Sequence, residues 1–185
     1  RWIAPPPVFI TLLQAIPKAR RMDLVVEKAT ELGAMRIIPV RTERVVASPD
    51  EIRGGERRER WARLAVNAAR QCATAWLPEV DEPRSLADAL AVVDDGQPLF
   101  VGSLAASACP FRQVVAAVRA RLPAPERVAI LIGPEGDLSD AEREEARAMG
   151  ALEVSFGRRV LRTETAAFFG LSVLGYEFLS DESRD

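Results

Sequence analysis

Two segments of this 185-residue chain combine residue types that bind charged ligands and move protons. The first reads Leu-Ile-Gly-Pro-Glu-Gly and ends at Gly136, and the second spans residues 156–166. The second segment contains Arg158, Arg159, Arg162 and Glu164. Guanidinium groups bind carboxylates or phosphates through paired N–H donors, and a carboxylate can accept a proton from a substrate. The sequence therefore predicts a cationic edge suited to phosphate or carboxylate groups.

Both segments also have purely structural interpretations. Gly133 and Gly136 fit a tight turn between a strand and a helix. Glu164 would stabilise the start of the last helix through the helix dipole, and Thr163 or Thr165 would cap it with a hydroxyl. The sequence alone leaves these interpretations open.

Phosphate binding at the first segment is disfavoured. Ser139 and Glu142 form a Ser-x-x-Glu capping box, which occupies the N–H groups of the next helix and makes the local field negative. The chain also contains neither GxxxxGK[ST] nor GxGxxG. Nucleotide hydrolases and dinucleotide-dependent enzymes are therefore poor matches.

The composition excludes several kinds of site. The chain has no histidine, so Ser-His-Asp triads and histidine-bound metals are excluded, and we expect no metal. Cys72 and Cys109 lie far apart, and we expect both to be reduced, buried core residues. A formal net charge of −2 argues against a uniformly basic nucleic-acid clamp. Neither a membrane span nor a signal peptide is visible, so we expect a cytoplasmic domain without a membrane partner.

Apolar strands and amphipathic helices alternate along the chain and must position the two segments. Strands are predicted at 8–16, 36–40, 99–102, 127–133 and 152–156, and Val45-Val46 would add or extend one. Helices are predicted at 18–33, 56–71, 85–92, 110–122, 139–149 and 163–179, with a loop at 48–55. This alternation predicts an α/β fold with a parallel sheet flanked by helices. Both segments then follow strands, at the edge of the sheet where ligands bind.

Two predicted helices have unusual surfaces. Helix 56–71 is basic, with Arg57, Arg58, Arg60, Arg63 and Arg70. Helix 163–179 is apolar nearly all round, which indicates that it is buried or lies in an interface, and we infer a homodimer contact. Its Gly170 and Gly175 would permit close approach of another helix or relieve crowding in the core.

The first residues suggest a connection to another domain. The chain starts at Arg1 without a methionine, and Pro5, Pro6 and Pro7 indicate a stiff extended linker. We therefore expect residues 1–7 to be a linker, 8–180 to form the main domain and 181–185 to be a polar tail.

The two segments together resemble the signature of the SPOUT class of methyltransferases, specifically the family that methylates N3 of a uridine in small-subunit (16S) ribosomal RNA. The matching motifs are GPEG after an apolar strand and LRTETA at the start of the last helix. Similar blocks occur at 28–33, 38–40, 42–44, 60–61 and 69–71, so the resemblance covers essentially the whole chain. It departs from the family at Asp137, where a glycine is usual, and at 72–74, where a serine and a nearby arginine are usual.

The resemblance implies a C-terminal trefoil knot, an obligate homodimer, S-adenosylmethionine as cofactor, and a PUA-like RNA-binding domain before residue 8. Carried over position by position, the cofactor-binding residues are Gly102, Ser103, Leu104, Ile132, Gly133, Pro134, Glu135, Gly136, Phe156, Gly157, Val160, Leu161, Arg162, Thr163, Thr165 and Ala166. The expected ribosomal RNA contacts are Arg44, Arg70, Arg158 and Arg159. As catalytic candidates, Arg162 would bind the ring oxygens or a phosphate, and Glu164 would take the N3 proton or orient Arg162.

Two other functions remain possible from the sequence. A non-catalytic RNA-binding module would use helix 56–71 and Arg158 to Arg162, and it would bind RNA in a salt-sensitive way without cofactor affinity. A SPOUT methyltransferase could instead modify a ribose 2′-hydroxyl or a guanine in transfer RNA. The LRTETA segment favours the uridine family.

Overall fold

The computed structural model describes residues 4–18, 21–44, 54–93 and 96–179. The strands are β1 (Phe9–Ala15), β2 (Ala34–Arg41), β3 (Glu79–Val80), β4 (Arg84–Ser85), β5 (Leu99–Gly102), β6 (Cys109–Pro110), β7 (Arg127–Ile132) and β8 (Leu152–Ser155). The helices are α1 (Arg21–Glu31), α2 (Gly54–Gln71), α3 (Leu86–Leu90), α4 (Phe111–Arg121), α5 (Asp140–Ala148) and α6 (Thr163–Leu179). The predicted strand at Val45-Val46, the first part of the predicted loop 48–55, linker residues 1–3 and the tail 181–185 lie outside the described residues.

The strands form one sheet in the order β3-β2-β1-β7-β5-β8-β6, and β4 also pairs with β2. Every one of these pairs is parallel, which confirms the predicted parallel α/β sheet flanked by helices. Because the strands run in one direction, their carboxyl ends share one edge of the sheet. The loops that follow the neighbouring strands β7, β5 and β8 therefore lie side by side.

Two apolar layers cover the sheet. Side chains alternate between its faces, so Ile10 and Leu12 of β1 point to one layer and Leu13 to the other. Helices α1, α2, α4 and α6 pack on the first face, and α3 and α5 on the second. The predicted strand and helix positions agree with this three-layer arrangement within a few residues at each end. None of the described helices is long and apolar enough to cross a membrane.

The sequence missed three strands, β3, β4 and β6, because each has two residues and therefore no detectable alternation. The expectation that both cysteines are buried is wrong. Cys72 is exposed in the turn after α2, and Cys109 is exposed in β6 at the end of the sheet. Neither position lies in one of the two apolar layers, so neither residue acts as a core side chain.

Helix α6 packs closely on the sheet through Gly170. A Cβ atom at this position would overlap the Ile130 side chain of β7, so glycine relieves crowding in the core. A Cβ at Gly175 would lie 3.7 Å from the Leu32 carbonyl oxygen, an ordinary contact. Other α6 side chains remain accessible, since Phe169 is 42% and Tyr176 is 74% exposed. The helix therefore buries one side and leaves aromatic side chains uncovered.

Candidate active site

A cleft lies at the carboxyl edge of the sheet, between the loops after β5, β7 and β8 and the start of α6. Its cavity volume is about 240 Å³, just below the range of about 300–1,000 Å³ that is typical of small-molecule sites, and the cleft is open to solvent on one side. The lining residues are Gly102, Ser103, Leu104, Ile132, Gly133, Pro134, Glu135, Asp137, Ser155, Phe156, Gly157, Arg158, Arg159, Val160, Leu161, Thr163 and Ala166. The fold thus brings together the two segments that carry the sequence motifs.

The structure places all but three of the sequence-predicted cofactor residues on the wall of this cleft. The exceptions are Gly136, Arg162 and Thr165, which do not line it. All three are exposed, Gly136 in the loop after β7 and the other two at the start of α6. The sequence did not assign Asp137 or Ser155 to the site, and both line the cleft.

The four predicted RNA contacts fall into two groups. Arg158 and Arg159 are exposed on the cleft wall, whereas Arg44 and Arg70 are exposed outside it. The Arg44 guanidinium donates to the Gly136 carbonyl oxygen at 2.5 Å, which joins the end of β2 to the loop after β7. Arg70 lies in the last turn of α2.

The basic surface predicted for α2 is partly used inside the fold. Arg58 donates to the carbonyl oxygen of Val80 at 3.0 Å, and Arg60 forms an ion pair with Asp23 of α1. These two guanidinium groups hold α2 against β3 and α1. Arg58 and Arg60 therefore have structural roles within the fold, and the basic face of α2 that is left for RNA is smaller than the sequence predicted.

A buried hydrogen-bond chain connects the central strand to the cleft. The Gln14 side-chain amide donates to the Thr163 hydroxyl at 2.9 Å, and that hydroxyl donates to the Gly133 carbonyl oxygen at 2.7 Å. The Thr163 hydroxyl is therefore occupied by these contacts rather than capping α6. Its donation to Gly133 also fixes the orientation of the Gln14 amide, whose Oε1 is buried without a hydrogen-bond partner among the described residues. A polar side chain in the apolar strand β1 was the signal that could have identified Gln14.

Asp137 links two loops of the cleft. Its φ of +61° lies in the left-handed region, which glycine adopts most easily and aspartate tolerates. This conformation explains why Asp137 can replace the glycine that is usual at this position in the family it resembles. Its carboxylate accepts the main-chain N–H of Leu104 at 3.1 Å and that of Leu138 at 2.9 Å. Arg143 lies 3.8 Å from the same carboxylate. The side chain thus fastens the loop after β5 to the loop after β7.

Replacing Asp137 with Ala should lower the free energy of unfolding by about 2 kcal/mol, because two N–H groups lose a charged acceptor and a Cβ remains at positive φ. The Asp137→Gly variant loses the same acceptors without the backbone cost, so it should be about 1 kcal/mol more stable than the Ala variant. Urea denaturation of the three proteins measures both differences. Equal stability of wild type and the Ala variant would mean that this side chain does not hold the loops together.

Glu164 is buried in the first turn of α6, with 8% of its surface exposed. Its Oε2 atom lies 3.8 Å from Nη1 of Arg21 and has no hydrogen-bond partner among the described residues. Nη1 of Arg21 is also 3.6 Å from Oε1 of Glu135 on the cleft wall, and the Lys18 N–H donates to that oxygen at 3.2 Å. Glu164 therefore pairs with Arg21 and not with Arg162, the cation suggested by the sequence. Arg21 was missed because it lies far from both motifs in the chain.

Charges of both signs surround the cleft. Glu135 and Asp137 contribute carboxylates, and Arg158 and Arg159 contribute guanidinium groups. This arrangement suits a small ligand that carries a cationic and an anionic group. Within the described ranges, no group of three or more His, Cys, Asp or Glu side chains could hold a metal ion.

Comparisons with known proteins agree on one family. A family model described as RNA methyltransferase domain matches residues 4–175. The ribosomal RNA small subunit methyltransferase E of Bacillus subtilis is 30% identical over 171 residues, which cover 92% of this chain and 67% of that protein.

Two solved structures share this architecture. A methyltransferase from Legionella pneumophila, in complex with the bound cofactor SAM, is 35% identical with a TM-score of 0.80, covering 92% of this chain and 66% of that one. A ribosomal RNA small subunit methyltransferase E from Neisseria gonorrhoeae, bound to S-adenosyl methionine, is 27% identical with a TM-score of 0.81, covering 93% and 67%. The chain spans between about half and two thirds of the length of the curated relatives that it matches.

Proposed function

This chain belongs to the RNA methyltransferase domain family, and from that premise we propose that it transfers a methyl group from S-adenosylmethionine to N3 of a uridine in small-subunit ribosomal RNA. The observation that carries the proposal is the cleft where the GPEG loop meets the LRTETA segment. Relatives named ribosomal RNA small subunit methyltransferase E support the choice of RNA, and two neighbours solved with S-adenosylmethionine support the cofactor.

The cleft fits S-adenosylmethionine in lining and charge. Phe156 and Ile132 provide apolar wall for an aromatic base, and the loops at 102–104, 133–135 and 156–163 provide main-chain polar groups. The charged side chains on the wall match a ligand with an ammonium and a carboxylate. When bound, the cofactor supplies an electrophilic methyl carbon. Residues of these three loops would hold it.

The protein's contribution to methyl transfer is alignment and proton removal. The loops are joined by the hydrogen bonds of Asp137 and Thr163, and a fixed position of the acceptor relative to the methyl donor lowers the entropic part of the barrier. Glu164, the neighbour of the cleft-lining residue Thr163, is the candidate that accepts the N3 proton, since among the described residues its buried Oε2 atom has no hydrogen-bond partner. We assign Arg162, which is exposed at the start of α6, to a contact with the ring oxygens of the base or with an RNA phosphate.

The RNA would lie along the open side of the cleft. Arg158 and Arg159 are exposed there, and we assign them to backbone contacts together with Arg44 and Arg70. A preceding PUA-like domain, joined through residues 1–7 to the domain at 8–180, would add RNA affinity. The donation of the Trp76 indole N–H to the Ala4 carbonyl oxygen at 2.9 Å supports a defined path for that connection.

The proposed assembly is a homodimer with a C-terminal trefoil knot, acting in the cytoplasm. The accessible aromatic side chains Phe169 and Tyr176 on α6 support a contact between two copies. The proposal of the knot rests on membership of the RNA methyltransferase domain family, because the order of the strands alone does not require a knot.

The proposal is tested by titrating the chain with S-adenosylmethionine in a calorimeter, with light scattering on the same sample. We expect about one site per protomer of a dimer. Incubation with unmodified small-subunit ribosomal RNA and mass spectrometry of the nucleosides should then identify 3-methyluridine. A methyl group on ribose or guanine would contradict the uridine assignment. RNA binding without cofactor affinity would favour the non-catalytic RNA-binding module.

A further inference from the structure

Arg21 and Glu164 are ion-paired neighbours beside the cleft, and no hydrogen bond joins them among the described residues. The Arg21 side chain is 40% exposed and, within the described residues, donates no hydrogen bond within 3.5 Å; its carboxylate neighbours are 3.6 and 3.8 Å away. Glu164 Oε2 is buried and also lacks a hydrogen-bond partner there. Neither residue lines the cleft itself, but Arg21 pairs with Glu135 and Glu164 follows Thr163 in the chain, and both of these neighbours do line it.

This pair of groups complements one particular chemical edge. An imide or lactam presents a carbonyl oxygen next to an N–H, so it accepts from a guanidinium and donates to a carboxylate at the same time. Uracil offers this pattern at N3–H with O2 or O4, and guanine offers it at N1–H with O6. Cytosine and adenine have an unprotonated ring nitrogen at the corresponding position. When cytosine or adenine binds, the Glu164 oxygen would lack an N–H donor, and this unpaired buried acceptor lowers the affinity for these two bases.

We propose that Arg21 and Glu164 form the subsite that reads the imide edge of the acceptor base, with Arg21 as a catalytic residue that donates to the oxygen beside N3. The proposal rests on the methyltransferase function and names the residues that select its substrate. Arg21 holds the developing negative charge on that oxygen as N3 loses its proton. Lys18 and Glu135 keep Arg21 in place through the main-chain hydrogen bond and the ion pair described above.

The reaction balances at this subsite. Glu164 Oε2 takes the N3 proton, and the N3 electron pair forms a bond to the methyl carbon while the carbon–sulfur bond breaks and its electron pair stays on sulfur. The products are 3-methyluracil, a neutral thioether and a protonated carboxyl that releases its proton to solvent. Arg21 changes neither charge nor covalent bonds.

The test compares the whole chain carrying Arg21→Met or Arg21→Lys with wild type on unmodified small-subunit ribosomal RNA. Arg21→Met should lower kcat by about 10- to 100-fold, the loss expected for one charged hydrogen bond in the transition state, with the S-adenosylmethionine Kd within about threefold of wild type. Arg21→Lys should recover part of the rate. The control is Arg119→Met, because Arg119 is also 40% exposed and pairs with a carboxylate of α6, Glu177, at 2.9 Å. Its kcat should equal that of wild type.

A second measurement replaces the acceptor uridine with 2-thiouridine or 4-thiouridine, because sulfur accepts hydrogen bonds more weakly than oxygen. One of these two nucleotide changes should lower the rate of wild type by a larger factor than it lowers the rate of the Arg21→Met variant. If the thio substitutions slow both proteins equally, or if Arg21→Met raises the KM for RNA and leaves kcat unchanged, the role of Arg21 is wrong while the methyltransferase function stands. A guanine N1 product would overturn the uridine function and support the subsite. A product methylated on ribose, or no product from wild type, would overturn both.

Discussion

Replacing Glu164 with Gln should lower the rate of methyl transfer by about 10²–10⁴-fold and leave S-adenosylmethionine affinity unchanged. The amide has nearly the same shape as the carboxylate but cannot take the N3 proton. Arg21 would face a neutral group at the same position, so the packing of α1 on α6 should persist. Single-turnover kinetics with unmodified ribosomal RNA measures the rate, and calorimetry measures the affinity.

The matched control for this substitution is Glu142→Gln. Glu142 is also 8% exposed and also lies in the first turn of a helix, but its carboxylate accepts the N–H groups of Ser139 and Glu43. This variant should lose stability and keep its rate. If Glu164 only balanced the helix dipole, Glu164→Gln would cost about 0.3–1 kcal/mol of stability and leave the rate intact, which would remove Glu164 as the base.

Replacing Gly133 with Val should weaken S-adenosylmethionine binding by on the order of 100-fold, because the side chain disturbs the loop that would hold the cofactor, and the loss of about two hydrogen bonds has an effect of this size. A Cβ at Gly133 would lie 3.3 Å from both Cγ and the main-chain nitrogen of Leu138 and 3.4 Å from Oδ1 of Asp137. The neighbouring atoms must shift by a few tenths of an ångström for a Cβ alone and further for the two methyl groups of valine. We expect this shift to disturb the hydrogen bond from Thr163 to the Gly133 carbonyl oxygen.

Gly136→Ala is the control for Gly133→Val. The sequence suggested equal importance for both glycines, but Gly136 does not line the cleft. Among the described residues, a Cβ at Gly136 would meet only Arg44 Cδ, at 3.6 Å. Its cofactor affinity should stay within about threefold of wild type. Circular dichroism would verify that both variants are folded. Unchanged affinity in a folded Gly133→Val protein would mean that the GPEG loop serves only as a turn.

The element pattern was predictable because it depends on neighbours in the chain. Apolar runs such as Phe9–Ala15 and Arg127–Ile132 are long enough to reveal buried strands, and the capping box at Ser139 marks the start of α5. The two-residue strands β3, β4 and β6 have no such local signal. The exposure of Cys72 and Cys109 also depends on where the turns and the end strand lie in the folded protein.

Local patterns in the sequence predict the α/β class, the positions of the main strands and helices, and the two motifs that meet at the cleft. The distant groups that accompany these motifs become visible only in the folded chain. Gln14 reaches Thr163, Arg21 reaches Glu164, and Asp137 reaches the Leu104 N–H. Local pattern depends on a period of two or 3.6 residues along the chain. These pairings instead depend on the order of parallel strands, which places the ends of β1, β5, β7 and β8 along one edge of the sheet.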